Sequence, residues 1–308
     1  MEHTHALELD ASDIPKGSWV DQFLPVKARP YACMARFDRP IGTWLLLFPC
    51  WWSIALATPG WPSLWLIALF GIGAMIMRGA GCTFNDITDR NFDGMIARTA
   101  DRPIPSGDVS VFQAVVYMIT LGLIGLVILL QFNQFAMAVG AASLVLVIIY
   151  PFMKRITYWP QFVLGLTFNW GALLGWAAVR GDLQTPALIL YVAGIFWTLG
   201  YDTIYAHQDK EDDLLVGVMS SALKLGDNTK PWLFVFFGLA IALIGVAGWQ
   251  VGLTWPFYVG LALGALQAIW QAWDIDIDDP HNCLAKFKSN RLFSWLVLGA
   301  IIAGQLVN

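Results

Sequence analysis

Asn85-Asp86-Ile87-Thr88-Asp89-Arg90-Asn91-Phe92-Asp93 closes a stretch, residues 63–84, that is apolar almost throughout. A second such stretch, residues 187–207, runs into Tyr201-Asp202-Thr203-Ile204-Tyr205-Ala206-His207-Gln208-Asp209-Lys210-Glu211-Asp212-Asp213. Each apolar stretch has the length of a membrane span, about twenty residues. Carboxylates at the end of a membrane helix are costly unless they face a cavity and bind something. Clustered hard oxygen ligands with Lys and Arg close by suit a divalent cation together with phosphate. The two clusters point to an enzyme whose diphosphate substrate carries an apolar tail.

Composition agrees with a membrane setting. The chain of 308 residues is 57% hydrophobic and 13% charged, with a mean hydropathy of +0.61. A soluble domain would carry nearer a quarter of charged residues. The 16 Trp suit the aromatic belts of a bilayer interface. A net charge of -4, spread along the chain, leaves no nucleic-acid footprint. Cys33, Cys50, Cys82 and Cys283 form no CxxC pair and no zinc spacing, so they read as isolated buried or semi-buried thiols. Residues 1–40 are polar, show no secretory signal and read as a cytoplasmic arm; residues 41–308 read as one membrane domain.

Nine spans are expected, at roughly 41–58, 63–84, 111–130, 134–153, 162–179, 187–207, 231–249, 253–273 and 291–307. Of the 18 Lys and Arg, all but Arg78 and Arg180 fall in the arm or near alternate connections, and the connections 59–62, 131–133 and 250–252 have none. The positive-inside rule then puts the N-terminus in the cytoplasm and, for nine spans, the C-terminus outside. The two longest interior connections, 84–110 and 207–230, each start with an aspartate cluster. That is a weak internal repeat, with two related halves.

Asp86, Asp89 and Asp93 stand at i, i+3 and i+7, one face of a helix, with Asn85 at its edge. Three carboxylates on one face repel unless cations neutralise them, and magnesium takes one or two carboxylates with waters and phosphate oxygens. Asp202, Asp209 and Asp213, at i, i+7 and i+11, form a second stripe. Asp212 is a secondary ligand candidate, whereas Glu211 reads as a solvated side chain. Arg78 precedes Asn85 by seven residues, about 10 Å of helix, so it lies deeper in the membrane. Its guanidinium either makes a structural ion pair or binds a substrate carboxylate in bidentate fashion. Asp202, similarly deep, could pair with Arg78 or accept a substrate proton. Arg98 and Arg102 sit in a loop stiffened by Pro103, Pro105 and Gly107, and Tyr150 and Lys154 stand four apart at a helix end. All four look phosphate-directed; Lys154 and Arg155 could equally be positive-inside anchors.

Together these residues resemble the UbiA family of intramembrane prenyltransferases. Asn85-Asp86-x-x-Asp89-x-x-x-Asp93 matches that family's first aspartate motif, Asp209-x-x-x-Asp213 the second, and Tyr150-x-x-x-Lys154 its Tyr-x-x-x-Lys signature. Arg36-Phe-Asp-Arg-Pro-Ile-Gly42, Asp101-Arg-Pro-Ile-Pro-Ser-Gly107, Pro160-Gln-Phe-Val-Leu-Gly165 and Tyr201-Asp-Thr-Ile-Tyr-Ala206 resemble the branch that prenylates 4-hydroxybenzoate. The resemblance implies an all-α integral membrane fold, nine helices around a central cavity with a cytoplasmic cap from the two long loops. It implies Mg²⁺ held by Asn85, Asp86, Asp89 and Asp93 and by Asp209 and Asp213. Diphosphate contacts would come from Arg98, Arg102, Tyr150 and Lys154, with the aromatic acceptor near Arg78. The substrates implied are a polyprenyl diphosphate and 4-hydroxybenzoate, for ubiquinone biosynthesis in a bacterial or mitochondrial inner membrane, with the active-site mouth on the cytoplasmic or matrix side. Phe48, Trp52, Phe168 and Trp170 are candidates to shield an allylic cation.

Two other classes fit less well. CDP-alcohol phosphotransferases share the fragment Asp93-Gly94-Met-Ile-Ala97-Arg98, with Gly107 at the right distance, but Arg90, Val111 and Val115 stand where that motif needs Asp. Ion-coupled transporters bury charge near the midplane, often at broken helices; here nearly all charge gathers at one face.

Overall fold

The computed structural model describes residues 13–15, 17–96 and 98–307. The expected arm's first twelve residues, Lys16, Ala97 and Asn308 thus lie outside the described residues. The described chain forms helices α1 (Trp19–Phe23), α2 (Arg29–Met34), α3 (Ile41–Ala57), α4 (Leu64–Asp93), α5 (Val111–Leu129), α6 (Gln134–Ile149) and α7 (Pro160–Phe168). There follow α8 (Trp170–Arg180), α9 (Thr185–Ala206), α10 (Lys210–Val216), α11 (Ser221–Leu225), α12 (Thr229–Gln250), α13 (Trp255–Asp274) and α14 (Pro280–Leu306). No strand occurs among the described residues. Proline marks the first turn of α7, α9, α13 and α14, where its missing N–H costs no helical bond.

The nine expected spans reduce to six. Among the described residues the segments long and apolar enough to cross a membrane are Leu64–Asp93, Val111–Leu129, Gln134–Arg155, Pro160–Arg180, Thr185–Val216 and Ser221–Gln250. These make the chain an integral membrane protein. The expectations at 41–58, 253–273 and 291–307 fail. α3 has only 17 residues, with Pro49 inside it. α13 and α14 give their shared face to polar side chains, which lowers their hydropathy. Asn290 Nδ2 donates to Gln271 Oε1 at 2.7 Å, Gln271 Nε2 to Gln267 Oε1 at 2.8 Å, and Gln267 Nε2 to Ser289 Oγ at 3.0 Å. Buried amides left without partners would each cost a few kcal/mol, and this ladder removes that cost. The inference that the C-terminus lies opposite the N-terminus rested on nine spans and falls with them.

Two compact units make up the chain. The first combines Met1–Thr43 with Ile72–Ile128, the second Trp44–Gly71 with Leu129–Asn308. In the first, Met34, Val109 and Ala114 are buried together, with Tyr31, Ile87, Ile104 and Tyr117 against them. There α4 also comes close to the turn after α2: a Cβ on Gly79 would stand 3.0 Å from that of Ala35. In the second unit α9 is central, packed against α7, α8, α12 and α14. Trp52 stacks obliquely on Trp197 at 5.0 Å and donates to the Ser294 carbonyl at 3.0 Å. Phe48 and Trp52, expected as cation shields, are thus fully buried in an aromatic core. The four cysteines are free and buried, as expected.

Candidate active site

The first aspartate motif lies wholly on α4, which runs unbroken from Leu64 to Asp93 and so carries the expected face two turns past the apolar stretch. Asp86 and Asp89 are 0% exposed and Asp93 4%. Guanidiniums supply the neutralising charge. Arg36 Nη2 donates to Asp86 Oδ1 at 2.6 Å; Arg102 Nη1 donates to the same oxygen at 3.3 Å and to Asp93 Oδ2 at 2.9 Å. Burial works against the charge on Arg102, but Asp13, Asp86 and Asp93 more than reverse this and hold its proton well above the ordinary range. Arg36 behaves alike: burial lowers its pKa, and Asp86 more than restores it. Arg36 also adopts φ 60°, the left-handed region, alone among described residues other than glycine. That backbone turn lets Nη1 donate to the Cys33 carbonyl at 3.0 Å while Nη2 reaches Asp86. Sequence reasoning placed Arg36 in a recognisable stretch but gave it no role.

Arg78 stands on the same continuous helix as Asn85, so the rise of about 10 Å between them holds. Its guanidinium rests on Gly42, where a Cβ would come within 2.6 Å of Nη2 and 2.7 Å of Nε. Only glycine leaves that space. The glycine that ends the Arg36–Gly42 stretch is thereby explained by close approach rather than by a turn.

Arg98 and Arg102 meet an anion from the arm that the sequence did not foretell. Asp13 Oδ2 accepts from Arg102 Nη2 at 2.9 Å and Nε at 3.2 Å, and lies 3.6 Å from Arg98 Nη1. Asp13 Oδ1 lies 3.3 Å from Arg39 Nη2. Burial pushes the Asp13 carboxyl up, but Arg102, Arg39, Arg36 and Arg98 outweigh it and bring it down to about 2. No periodicity or motif marks Asp13, since it lies in an irregular polar segment.

The second unit holds the second motif, built differently. α9 ends at Ala206, a 3₁₀ turn covers His207–Asp209, and α10 begins at Lys210. The expected stripe through Asp202, Asp209 and Asp213 is therefore broken between its first two members; Asp209 and Asp213 remain a turn apart at the start of α10. Asp202, Asp209 and Asp213 are half-buried. Lys210 pairs with Asp278 and donates to the Ile277 carbonyl at 3.1 Å, tying α10 to the loop before α14. The Met219 amide donates to the Lys154 carbonyl at 2.8 Å, which brings the segment after α10 to the Tyr150–Arg155 turn. That turn winds as a 3₁₀ helix with Pro151 in its first turn. Residues three apart eclipse in such a helix, so Tyr150 and Lys154 do not share one face as they would on an α-helix. Arg155 lies 5.8 Å over the Phe152 ring and is exposed.

No three His, Cys, Asp or Glu side chains among the described residues converge on a ready-made metal cage. Magnesium does not need one, since waters and substrate phosphates complete its shell. The first motif fits such an ion by a direct observation: Asp86 Oδ2 is buried and accepts no hydrogen bond. A bare carboxylate oxygen among all-oxygen donors is a ligand position for a hard cation.

Comparison with known proteins agrees. The model of the UbiA prenyltransferase family matches residues 46–297. The chain is 49% identical over 300 residues to the mitochondrial 4-hydroxybenzoate polyprenyltransferase of Arabidopsis thaliana, covering 96% of this chain and 74% of that protein. The apo structure of a UbiA homolog from Aeropyrum pernix K1 superposes with a TM-score of 0.68 at 25% identity, over 86% of this chain and 97% of that one. A UbiA homolog from Archaeoglobus fulgidus, bound to GPP and Mg²⁺, shares the fold with a TM-score of 0.61 at 16% identity, over 91% and 100% of the two chains. A buried carboxylate stripe with a bare oxygen, an arginine two turns below it and this breadth of likeness lead to one assignment: the chain belongs to the UbiA prenyltransferase family.

Proposed function

We propose that this chain transfers a polyprenyl group from polyprenyl diphosphate to the ring carbon of 4-hydroxybenzoate ortho to its hydroxyl, as a step in ubiquinone biosynthesis. The observation that carries this reading is Arg78, resting on Gly42 about 10 Å below the carboxylate motif on one helix. A carboxylate-binding fork at that depth suits an acceptor whose carboxyl points away from the diphosphate. The name and near-half identity of the plant relative support the same acceptor.

Asp86, Asp89 and Asp93, with Asn85 beside them, would hold Mg²⁺ at the first motif, and Asp209 and Asp213 would hold it at the second. When bound, Mg²⁺ offsets the charge that builds up on the departing diphosphate. Arg98, Arg102, Tyr150 and Lys154 are the proposed diphosphate contacts, and Arg155 next to Lys154 adds positive charge. The allylic C–O bond breaks, and its electron pair leaves with the diphosphate. The ring carbon ortho to the phenol forms the new C–C bond, and its proton then departs. Arg78 orients the ring through the carboxylate. Asp202, near the end of α9, is our candidate to accept that proton. Residues 41–308 act as one catalytic domain, with residues 1–40 as an arm, and the aspartate ends of α4 and α9 face the cytoplasm or the matrix.

Membranes containing the chain should convert ring-labelled 4-hydroxybenzoate and polyprenyl diphosphate to a labelled lipid only when Mg²⁺ is present. Labelled product from homogentisate but none from 4-hydroxybenzoate would overturn the acceptor assignment.

A further inference from the structure

The carboxylate of Asp13 sits where a substrate phosphate would be expected. Three guanidiniums surround it: Arg102 at 2.9 Å and 3.2 Å, Arg39 at 3.3 Å and Arg98 at 3.6 Å. Arg102 faces two ways. Its Nε and Nη2 are taken by Asp13, while its Nη1 serves Asp93 and Asp86 of the metal-binding stripe. An anion in this pocket is therefore one guanidinium away from that stripe.

A carboxylate fills the pocket incompletely. Asp13 Oδ1 is buried and makes no hydrogen bond, and Arg39 Nη2, although within ion-pair range of it, makes none either. In this geometry Oδ2 accepts twice from Arg102 while Oδ1 accepts from none of the three forks. A tetrahedral phosphoryl group offers three terminal oxygens and suits guanidinium pairs in two-point contact. The segment that delivers Asp13 is irregular chain. Its backbone is tied at two points, by the Asp13 amide donating to the Arg98 carbonyl at 2.9 Å and by Arg39 donating to the Asp13 carbonyl.

We propose that Arg39, Arg98 and Arg102 form one phosphoryl-binding pocket, that Asp13 is its resident anion, and that the diphosphate enters by displacing that carboxylate. This rests on the reading of Arg98 and Arg102 as diphosphate contacts. It adds Arg39 to the pocket and gives the arm a part in setting diphosphate affinity. Resident and incoming anions compete for the same guanidiniums, so substrate binds more weakly than an empty pocket would allow.

The test uses the full chain with Mg²⁺ and inorganic pyrophosphate as the probe. Asp13→Asn keeps the shape and removes the charge; it should lower the Kd for pyrophosphate by on the order of tenfold and lower KM for polyprenyl diphosphate far more than KM for 4-hydroxybenzoate. Asp13→Glu should bring the Kd back towards that of the parent. Arg39→Ala should raise the pyrophosphate Kd. An unchanged or higher Kd in a well-folded Asp13→Asn protein would overturn the proposal, because the carboxylate would then only hold the arginines in place. Arg98→Ala separates the two readings. If it leaves pyrophosphate binding intact, the diphosphate assignment itself falls; if it weakens binding while Asp13→Asn does not strengthen it, only the role of Asp13 falls.

Discussion

The two aspartate motifs share a composition and differ in nearly everything physical. The first rides one unbroken helix, its three carboxylates are buried, and Arg36 and Arg102 pair with Asp86 and Asp93. The second spans a helix end, a 3₁₀ turn and a new helix, and its carboxylates are half-buried. Its neighbour Lys210 pairs with Asp278. Burial makes a charge expensive and fixes its geometry, whereas partial exposure leaves it cheap and adjustable. The first motif reads as a rigid ligand platform and the second as one that can shift with its segment.

The largest expected effect tests whether both motifs serve one reaction. Asp89→Ala and Asp209→Ala should each reduce turnover on the order of a thousandfold or more if each removes one of the proposed cation ligands. Near-normal turnover of Asp209→Ala at saturating Mg²⁺ would leave the first motif working alone. Stability should divide the two. Asp86→Ala strands Arg36 as a buried charge and should destabilise by about 3–5 kcal/mol. Asp209→Ala should leave the melting temperature in detergent nearly unchanged.

Next in size is the arginine below the first motif. Arg78→Ala should raise KM for 4-hydroxybenzoate roughly thirty- to a thousandfold, about 2–4 kcal/mol, and leave KM for the diphosphate far less affected. Lysine at this position should restore only part of the loss, because an ammonium lacks the planar fork. Gly42→Ala should act through the same guanidinium. The new methyl meets the flexible end of Arg78, not backbone, so the fold should survive while KM for the acceptor rises about tenfold. Equal losses for both substrates would break the link between Arg78 and the acceptor.

The smallest effect concerns acid. Asp13 titrates at about 2 in the folded chain against roughly 3.9 when unfolded. Its ion pairs therefore add stability above the unfolded value, and that contribution is lost as pH falls through the folded one. Protection of the Asp13 amide, measured against its intrinsic exchange rate, should fall between about pH 4 and pH 2, ahead of protection in α10. Asp13→Asn should abolish that pH dependence. Identical acid profiles at the two sites would erase this part of the contrast.

Much of this could be read from the sequence where side-chain spacing carries the information. The i, i+3, i+7 spacing of Asp86, Asp89 and Asp93 survives because α4 is regular. The second stripe departs from its spacing because i+7 assumes a continuous helix, and nothing in Ala206-His207-Gln208-Asp209 announces a 3₁₀ turn. The spans at α13 and α14 were misread for the opposite reason. Gln267, Gln271 and Asn290 pass a length test for a membrane helix, yet they pair with one another across the helices and dilute the hydropathy. Asp13 lay beyond any local rule, because a contact with Arg102 spans 89 positions of chain and only folding discloses it.

Arg36 measures what the first motif's electrostatics are worth. A non-glycine residue held at φ 60° pays on the order of 1–3 kcal/mol in backbone conformation. Glycine would adopt that turn freely, and the chain has 28 of them. An arginine in this place therefore implies that its reach to Asp86 is worth more to the protein than the conformational ease it gives up. Arg36→Gly turns that inequality into a quantity: the backbone should relax while the charge is lost, and the net change in stability is the difference between the two.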